Sequence, residues 1–226
     1  NVSAESPTYS VSAVRHLTAA KTWSLYGNMN TAFAPNYQLQ PDGSALDPET
    51  GNQKEIGLRT SLMGGRILLL VYYFALQQDN VARADPARPG EGWFIQENGA
   101  FSKGWELSWN TRVTDNWLVT GGFSDTTAYN KRTGVVQALM PKHRFSIFNR
   151  YSFDHGPLKG VNFNLGAIYT GVRPQTPSTE RGEPAWHVPN WWRFDFIAGY
   201  NFKPQGSRYR YSISASVTNV LDNREI

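Results

Sequence analysis

The chain has 226 residues, no cysteine, a net charge of +4, and 14% aromatic against 18% charged residues. The missing cysteines exclude a disulfide scaffold and a thiolate metal site, and the dispersed positive charge, with no Lys/Arg block, argues against a nucleic-acid partner. The longest apolar run, Ile67 to Leu76, is about half of the roughly 20 residues that a membrane-spanning helix needs.

At the N-terminus no charged segment leads into an apolar one, so no signal peptide is expected in this sequence. Tyr9, Val11 and Ala13 then alternate with Ser10 and Ser12 up to about His16. Successive strand side chains point to opposite faces, so strict two-residue alternation predicts an amphipathic strand. After a short connection, Leu17 to Thr22, a second strand sets Trp23, Leu25, Met29 and Phe33 against Ser24, Tyr26, Asn28 and Asn30. Residues 34–51 hold two Pro-containing turn clusters and no period, and a long loop is expected there. The third strand, Gln53 to Met63, places Ile56, Leu58 and Leu62 opposite Glu55, Gly57, Arg59 and Ser61, and Gly64 and Gly65 make a tight turn. The fourth runs from Ile67 towards Gln78 and is apolar on both faces. That fits protein cover on both sides, or a lumen face pressed on a missing domain.

Residues 79–92, rich in Pro, Gly and Arg, read as a second long loop. A long fifth strand is expected from Trp93 to Val113, with Trp105, Leu107 and Trp109 opposite Glu106, Ser108 and Asn110, and with Gly99 and Gly104 as candidate bulges. The turn Thr114 to Asn116 leads into the sixth strand, where Trp117, Val119 and Phe123 oppose Thr120 and Ser124; residues 126–142 read as loop. In the seventh, Phe145, Ile147, Tyr151 and Phe153 oppose Arg144, Ser146 and Arg150. In the eighth, Val161, Phe163, Leu165, Ala167 and Tyr169 oppose Asn162, Asn164 and Gly166. A polar, Pro-rich loop, Val172 to Val188, precedes the closing hairpin. Its first strand sets Trp192, Phe194, Phe196, Ala198, Tyr200 and Phe202 against Arg193, Asp195, Gly199 and Asn201. Beyond the turn Pro204 to Ser207, Tyr209, Tyr211, Ile213, Ala215 and Val217 oppose Arg210, Ser212, Ser214, Ser216 and Thr218.

No stretch repeats at three and four, so no helix is predicted. Ten antiparallel strands joined by alternately short and long connections are the pattern of an all-β, up-and-down transmembrane barrel, apolar outward and polar inward. Aromatic belts at both interfaces are a second mark of such a barrel. Trp23, Trp117, Phe153, Phe202 and Tyr209 lie beside short turns, and Phe33, Tyr129, Tyr169 and Trp192 near long loops. A soluble sandwich whose strands end in aromatics is the alternative.

Catalytic signatures are missing. His16, His143, His155 and His187 are far apart in sequence, without metal-ligand spacing, and no nucleophile elbow or phosphate loop occurs. Asp47 and Glu49 could suggest calcium but read as turn-forming acids. The polar face carries Arg59, Arg112, Arg144, Arg150, Arg193 and Arg210 with Glu55, Glu106 and Asp195. This excess of cations could favour an anionic cargo, pair with acidic groups of a plug, or be neutralised within the wall itself. Near the loops, Tyr37, Trp93, Tyr129, Trp186, His187 and Trp191 are candidates to stack on a flat chelate, or are packing residues of the interface.

Several pieces occur in the order seen in TonB-dependent outer-membrane receptors of the siderophore branch. They are Leu46, Pro48, Glu49, Glu55, Ile56, Gly57 and Leu58; then Gly104, Trp105, Glu106 and Leu107; then Pro141 before a strand; and Asn219, Val220, Leu221, Asp222 and Asn223 near the end. From about Tyr9 onward the chain resembles the C-terminal part of that family's barrel. The resemblance implies a bacterial outer-membrane protein that captures a ferric siderophore and imports it to the periplasm with energy relayed by TonB through a plug domain. It implies no catalysis and no resident cofactor, iron being part of the cargo, with outer-membrane lipid against the outer face. Departures are a plug domain and TonB box that residues 1–226 do not include, and about ten strands where the family has about 22. The family's last strand is expected after Asn223, so the chain is expected to be a portion of a larger barrel, which closes the edges that a bilayer does not tolerate. A passive porin and a soluble carbohydrate-binding sandwich are the competing functional readings.

Overall fold

A computed structural model describes residues 5–97, 99–175 and 186–224. Its strands are β1 (Ser10–His16), β2 (Trp23–Ala34), β3 (Glu49–Leu62), β4 (Ile67–Asp79), β5 (Val81–Ala84), β6 (Phe94–Glu97) and β7 (Ala100–Arg112). They continue with β8 (Trp117–Asn130), β9 (His143–Ser152), β10 (Val161–Thr170), β11 (Arg173–Pro174), β12 (His187–Val188), β13 (Trp191–Phe202) and β14 (Tyr211–Val217). Ten of them form one sheet in the order β1-β2-β3-β4-β7-β8-β9-β10-β13-β14, every pair antiparallel. The remaining four make two small ribbons, β5 with β6 and β11 with β12. Connections alternate short and long, so one end of the sheet carries tight turns and the other carries the ribbons.

The register sorts side chains by face. One row runs Leu25, Leu58, Val71, Leu107, Phe123, Phe145, Tyr169, Trp192 across eight strands without a polar member. The adjacent row on the other face reads Ser24, Arg59, Leu70, Ser108, Gly122, Ser146, Ile168, Arg193. Nothing covers the apolar face among the described residues: Ile56 and Trp105 are each 55% exposed and Leu165 53%. Among the described residues, Leu46 and Ala128 are the buried apolar ones, and no large side chain is fully buried. A soluble sandwich buries its apolar faces against each other, whereas this single layer must turn its apolar face to lipid or leave it wet.

Cross-strand aromatic and glycine pairs knit the wall. Tyr26 lies over Gly57, Phe148 over Gly166 and Trp109 over Gly121, each directly opposite in register. A Cβ on those glycines would stand 2.5, 2.8 and 2.3 Å from the facing ring atoms, so the missing side chain is what seats the ring.

Several expectations need correction. The strand expected from Trp93 to Val113 is broken: β6 belongs to a ribbon with β5, inside the expected loop 79–92, and β7 alone enters the sheet. The break follows from Asn80, whose φ of 60° swings the chain out of β4. It follows equally from Gly99, where a Cβ would meet the Gln78 carbonyl oxygen at 2.3 Å. Gly104 is no bulge, since the register of β7 is continuous with both neighbours. It is glycine because a Cβ would stand 2.1 Å from the Asp125 carbonyl oxygen. β3 starts at Glu49 rather than Gln53, and β8 runs on to Asn130 through part of the expected loop 126–142. The Gly64-Gly65 turn is a short 3-10 turn, Met63–Gly65. Tyr209 and Arg210 lie in the connection before β14, so Arg210 is placed on neither face. Within the loop expected from Val172 to Val188, β11 pairs with β12, and the loop's 176–185 lie outside the described residues.

Candidate functional site

The polar face is the surface able to meet a solute. On β2 and β4, Tyr26 and Tyr72 donate their hydroxyls to the carboxylates of Glu55 and Glu106, and Gln53 donates to the other Glu55 oxygen at 3.4 Å. Both glutamates are thereby held in place without a cation. Among the expected lumen residues, Arg59, Arg144 and Arg150 occupy this face on β3 and β9. Arg193 is fixed by Asp195 at 2.9 Å, and Asp195 also accepts the Asn219 backbone N–H at 2.9 Å. Arg193 and Asp195 offset each other, and Arg59, Arg112, Arg144 and Arg150 against the carboxylates of Glu49, Glu55 and Glu106 leave the face slightly cationic among the described residues.

At the long-connection end lies a cup of about 590 Å³ between the β5–β6 ribbon and residues 131–138, within the range of ligand sites. Its floor is Gln78, Ala100 and Asn130, and Arg83, Glu97 and Arg132 stand at its wall. Arg83 pairs with Glu97, and Arg132 reaches the same carboxylate oxygen at 3.5 Å. Two guanidiniums share one carboxylate, so the wall is cationic on balance. Local sequence builds this wall: the Asn130 side-chain oxygen accepts the N–H groups of Arg132 (2.9 Å) and Thr133 (3.1 Å). Gly134, at φ 70°, closes the turn, and the chain returns to pair Val136 with Tyr129. In the loop 35–48, Ser44 donates its hydroxyl and N–H to Asp42 and holds that carboxyl below its usual range.

The six aromatic and imidazole candidates do not converge, and none lines the cup. Tyr37 is 77% exposed on the loop 35–48. Trp93 precedes β6, its carbonyl accepting the Asp85 N–H at 2.9 Å. Tyr129 is on the apolar face, against Phe101 at 5.3 Å between ring centroids. Trp186 and His187 belong to the small ribbon at β12. Trp191 is on the polar face, its indole N–H donating to the Asn223 carbonyl at 3.2 Å. Sequence reading missed Tyr26, Tyr72, Arg83, Glu97 and Arg132. The one available signal was that Val81 to Ala84 and Phe94 to Glu97 are short runs without Gly or Pro, flanking a segment rich in turn residues.

Asn219 to Asn223, singled out by the resemblance, is a clasp. Val220 donates to Phe194 O at 2.7 Å, the Asn223 side chain to Trp192 O at 2.9 Å, and the Asn219 side chain to Asn223 O at 2.8 Å. It ties the chain after β14 back over the end of β13. A family model described as TonB dependent receptor-like, beta-barrel, matches residues 2–220. The chain belongs to the TonB-dependent receptor β-barrel family. It is thus a piece of an outer-membrane barrel wall, with its apolar face to lipid and its polar face to the lumen. The metal-pseudopaline receptor of Pseudomonas aeruginosa is 27% identical over 206 residues, 88% of this chain and 27% of that protein. The ferrichrome outer membrane transporter/phage receptor of Escherichia coli K12 is 26% identical over 209 residues, 89% of this chain and 26% of that protein. The ferripyoverdine receptor of Pseudomonas aeruginosa, solved with ferripyoverdine bound, superposes with a TM-score of 0.75 at 24% identity, over 94% of this chain and 29% of that one. The chain therefore spans about a quarter of the length of the curated relatives it matches.

Proposed function

We propose that these strands form part of a receptor that binds ferric siderophores at the cell surface and imports them into the periplasm with energy delivered by TonB. The family match over residues 2–220 carries the reading, since its relatives include the metal-pseudopaline receptor and the ferrichrome transporter. The cationic polar face and the Arg83/Arg132 cup support an anionic chelate as cargo. Iron enters as part of that cargo and no resident cofactor takes part; the wall performs no bond-making step. Coupling to TonB runs through a plug domain outside these 226 residues.

The test is uptake of a panel of radioiron-labelled hydroxamate and catecholate chelates by cells carrying or lacking the full-length receptor, each with and without TonB. Accumulation of at least one chelate should require both proteins. Uptake that persists without TonB would instead identify a passive pore, and binding of none of the chelates would remove the siderophore reading.

A further inference from the structure

The lipid-facing side of the wall carries two ammonium groups where only apolar groups are expected. Lys54 on β3 and Lys103 on β7 both face outward and both pair in register with Ala75 of β4, which lies between them. Adjacent strands are about 4.8 Å apart, so the lysine backbones stand about 10 Å apart across a strand whose side chain is a single methyl. Both lysines are exposed, and neither has a hydrogen-bond or ion-pair partner among the described residues. Asp125, one row below on β8, is the acidic group diagonal to Lys103, and it is engaged by His143 Nε2 at 3.0 Å. Glu55 and Glu106 project from the other face.

Their depth is set by the strands. Lys54 stands eight residues above Leu62 at the short-turn end, Lys103 eight above Thr111, and Asp125 eight above Trp117. At about 3.3 Å per residue and a tilt of about 40°, this is a rise of about 20 Å, near the upper boundary of an apolar band about 25 Å tall. Just below, Ile56, Tyr73 and Trp105 make the next row, with Tyr73 and Trp105 edge to face at 5.1 Å. The site thus offers two cations at headgroup level, an open slot over Ala75, and an aliphatic and aromatic floor for an acyl chain.

The geometry points to a lipid-binding site: Lys54 and Lys103 clamp the phosphate headgroup of an anionic lipid of the outer leaflet over Ala75, with its chains along Ile56, Tyr73 and Trp105. Charge complementarity at an interface selects an anionic over a zwitterionic headgroup, and long lysine stems let the ammoniums rise to it.

The test uses the full-length receptor in mixed micelles, with lipid adducts counted by native mass spectrometry as phosphatidic acid is titrated against phosphatidylcholine. Each of Lys54→Gln and Lys103→Gln should weaken phosphatidic acid retention about fivefold, while Lys54→Arg retains it. Ala75→Trp, which keeps both charges but fills the slot, should abolish it; heat-modifiable gel mobility establishes that each variant is folded. Equal retention of the two lipids, or retention unchanged by the glutamine and tryptophan variants, would overturn the site. Displacement of the lipid by millimolar inorganic phosphate alone would overturn the lipid as its ligand.

Discussion

Replacing Phe196 by arginine and, in a separate variant, its neighbour Ile197 by arginine tests the assignment of the two faces. Phe196 stands opposite Leu165 and Val217 and stacks on Phe163 at 5.9 Å. It is six residues above Phe202 at the short-turn end, a rise of about 15 Å that puts it near the middle of the apolar band. A basic side chain on the lipid face at that depth costs about 2 to 4 kcal/mol, and loss of the ring pair adds about 0.5 to 1.5 kcal/mol. Ile197 lies between Asn164 and Ser216 on the polar face and is 38% exposed. An arginine there enters a wet lumen and should cost less than about 1 kcal/mol. The assay is urea unfolding of the full-length receptor in vesicles, followed by tryptophan fluorescence and gel mobility. Equal losses for the two variants, or a greater loss for Ile197→Arg, would refute the two-faced wall.

Gly104→Ala should destabilise the β7–β8 pairing by about 1 to 3 kcal/mol, because the new methyl meets the Asp125 carbonyl. Gly27→Ala, whose nearest contact is Glu55 O at 3.6 Å, should be tolerated in the same unfolding assay. Tyr26→Phe removes the hydroxyl donor to Glu55 and should cost about 1 to 3 kcal/mol, measured the same way. Arg132→Ala should weaken chelate binding by up to about fivefold, read by fluorescence quenching on the full-length receptor, with stability unchanged. In the short turns, Asp154 is held below the usual carboxylate range by a hydrogen bond from Asn116 and then by His155. A lowered carboxyl contributes stability above its unfolded value near 3.8 and loses it as pH falls through the folded value. The Asn116 to Asp154 link should therefore open only in strong acid, and Asp154→Asn should abolish that dependence in hydrogen exchange of the turn 113–116.

Alternation by itself determined the all-β character, the number of wall strands and the two faces of most of them, because a period of two is a local property that needs no knowledge of neighbours. The placing of Leu25, Leu58, Leu107, Phe123, Phe145, Tyr169 and Trp192 each on the apolar face of its own strand was therefore legible before any pairing was known. The ordered motifs carried the family for the same reason, since each is a short run within one strand or turn. Where strands break was less legible: Asn80 and Gly99 divert β4 and β7 through a φ value and a close carbonyl, neither of which periodicity records. Only the tertiary structure decided which residues meet across strands. Tyr26 reaches Glu55 and Tyr72 reaches Glu106 because of register. Glu97 meets Arg132 across 35 positions because a ribbon and a returning loop lean over β7, and Lys54 and Lys103 flank Ala75 although 49 positions separate them in sequence. Backbone hydrogen bonding fixes that register collectively along each strand pair: a slip of one would turn a strand's apolar side chains to the polar face, whereas a slip of two would keep every side chain on its face while exchanging every partner.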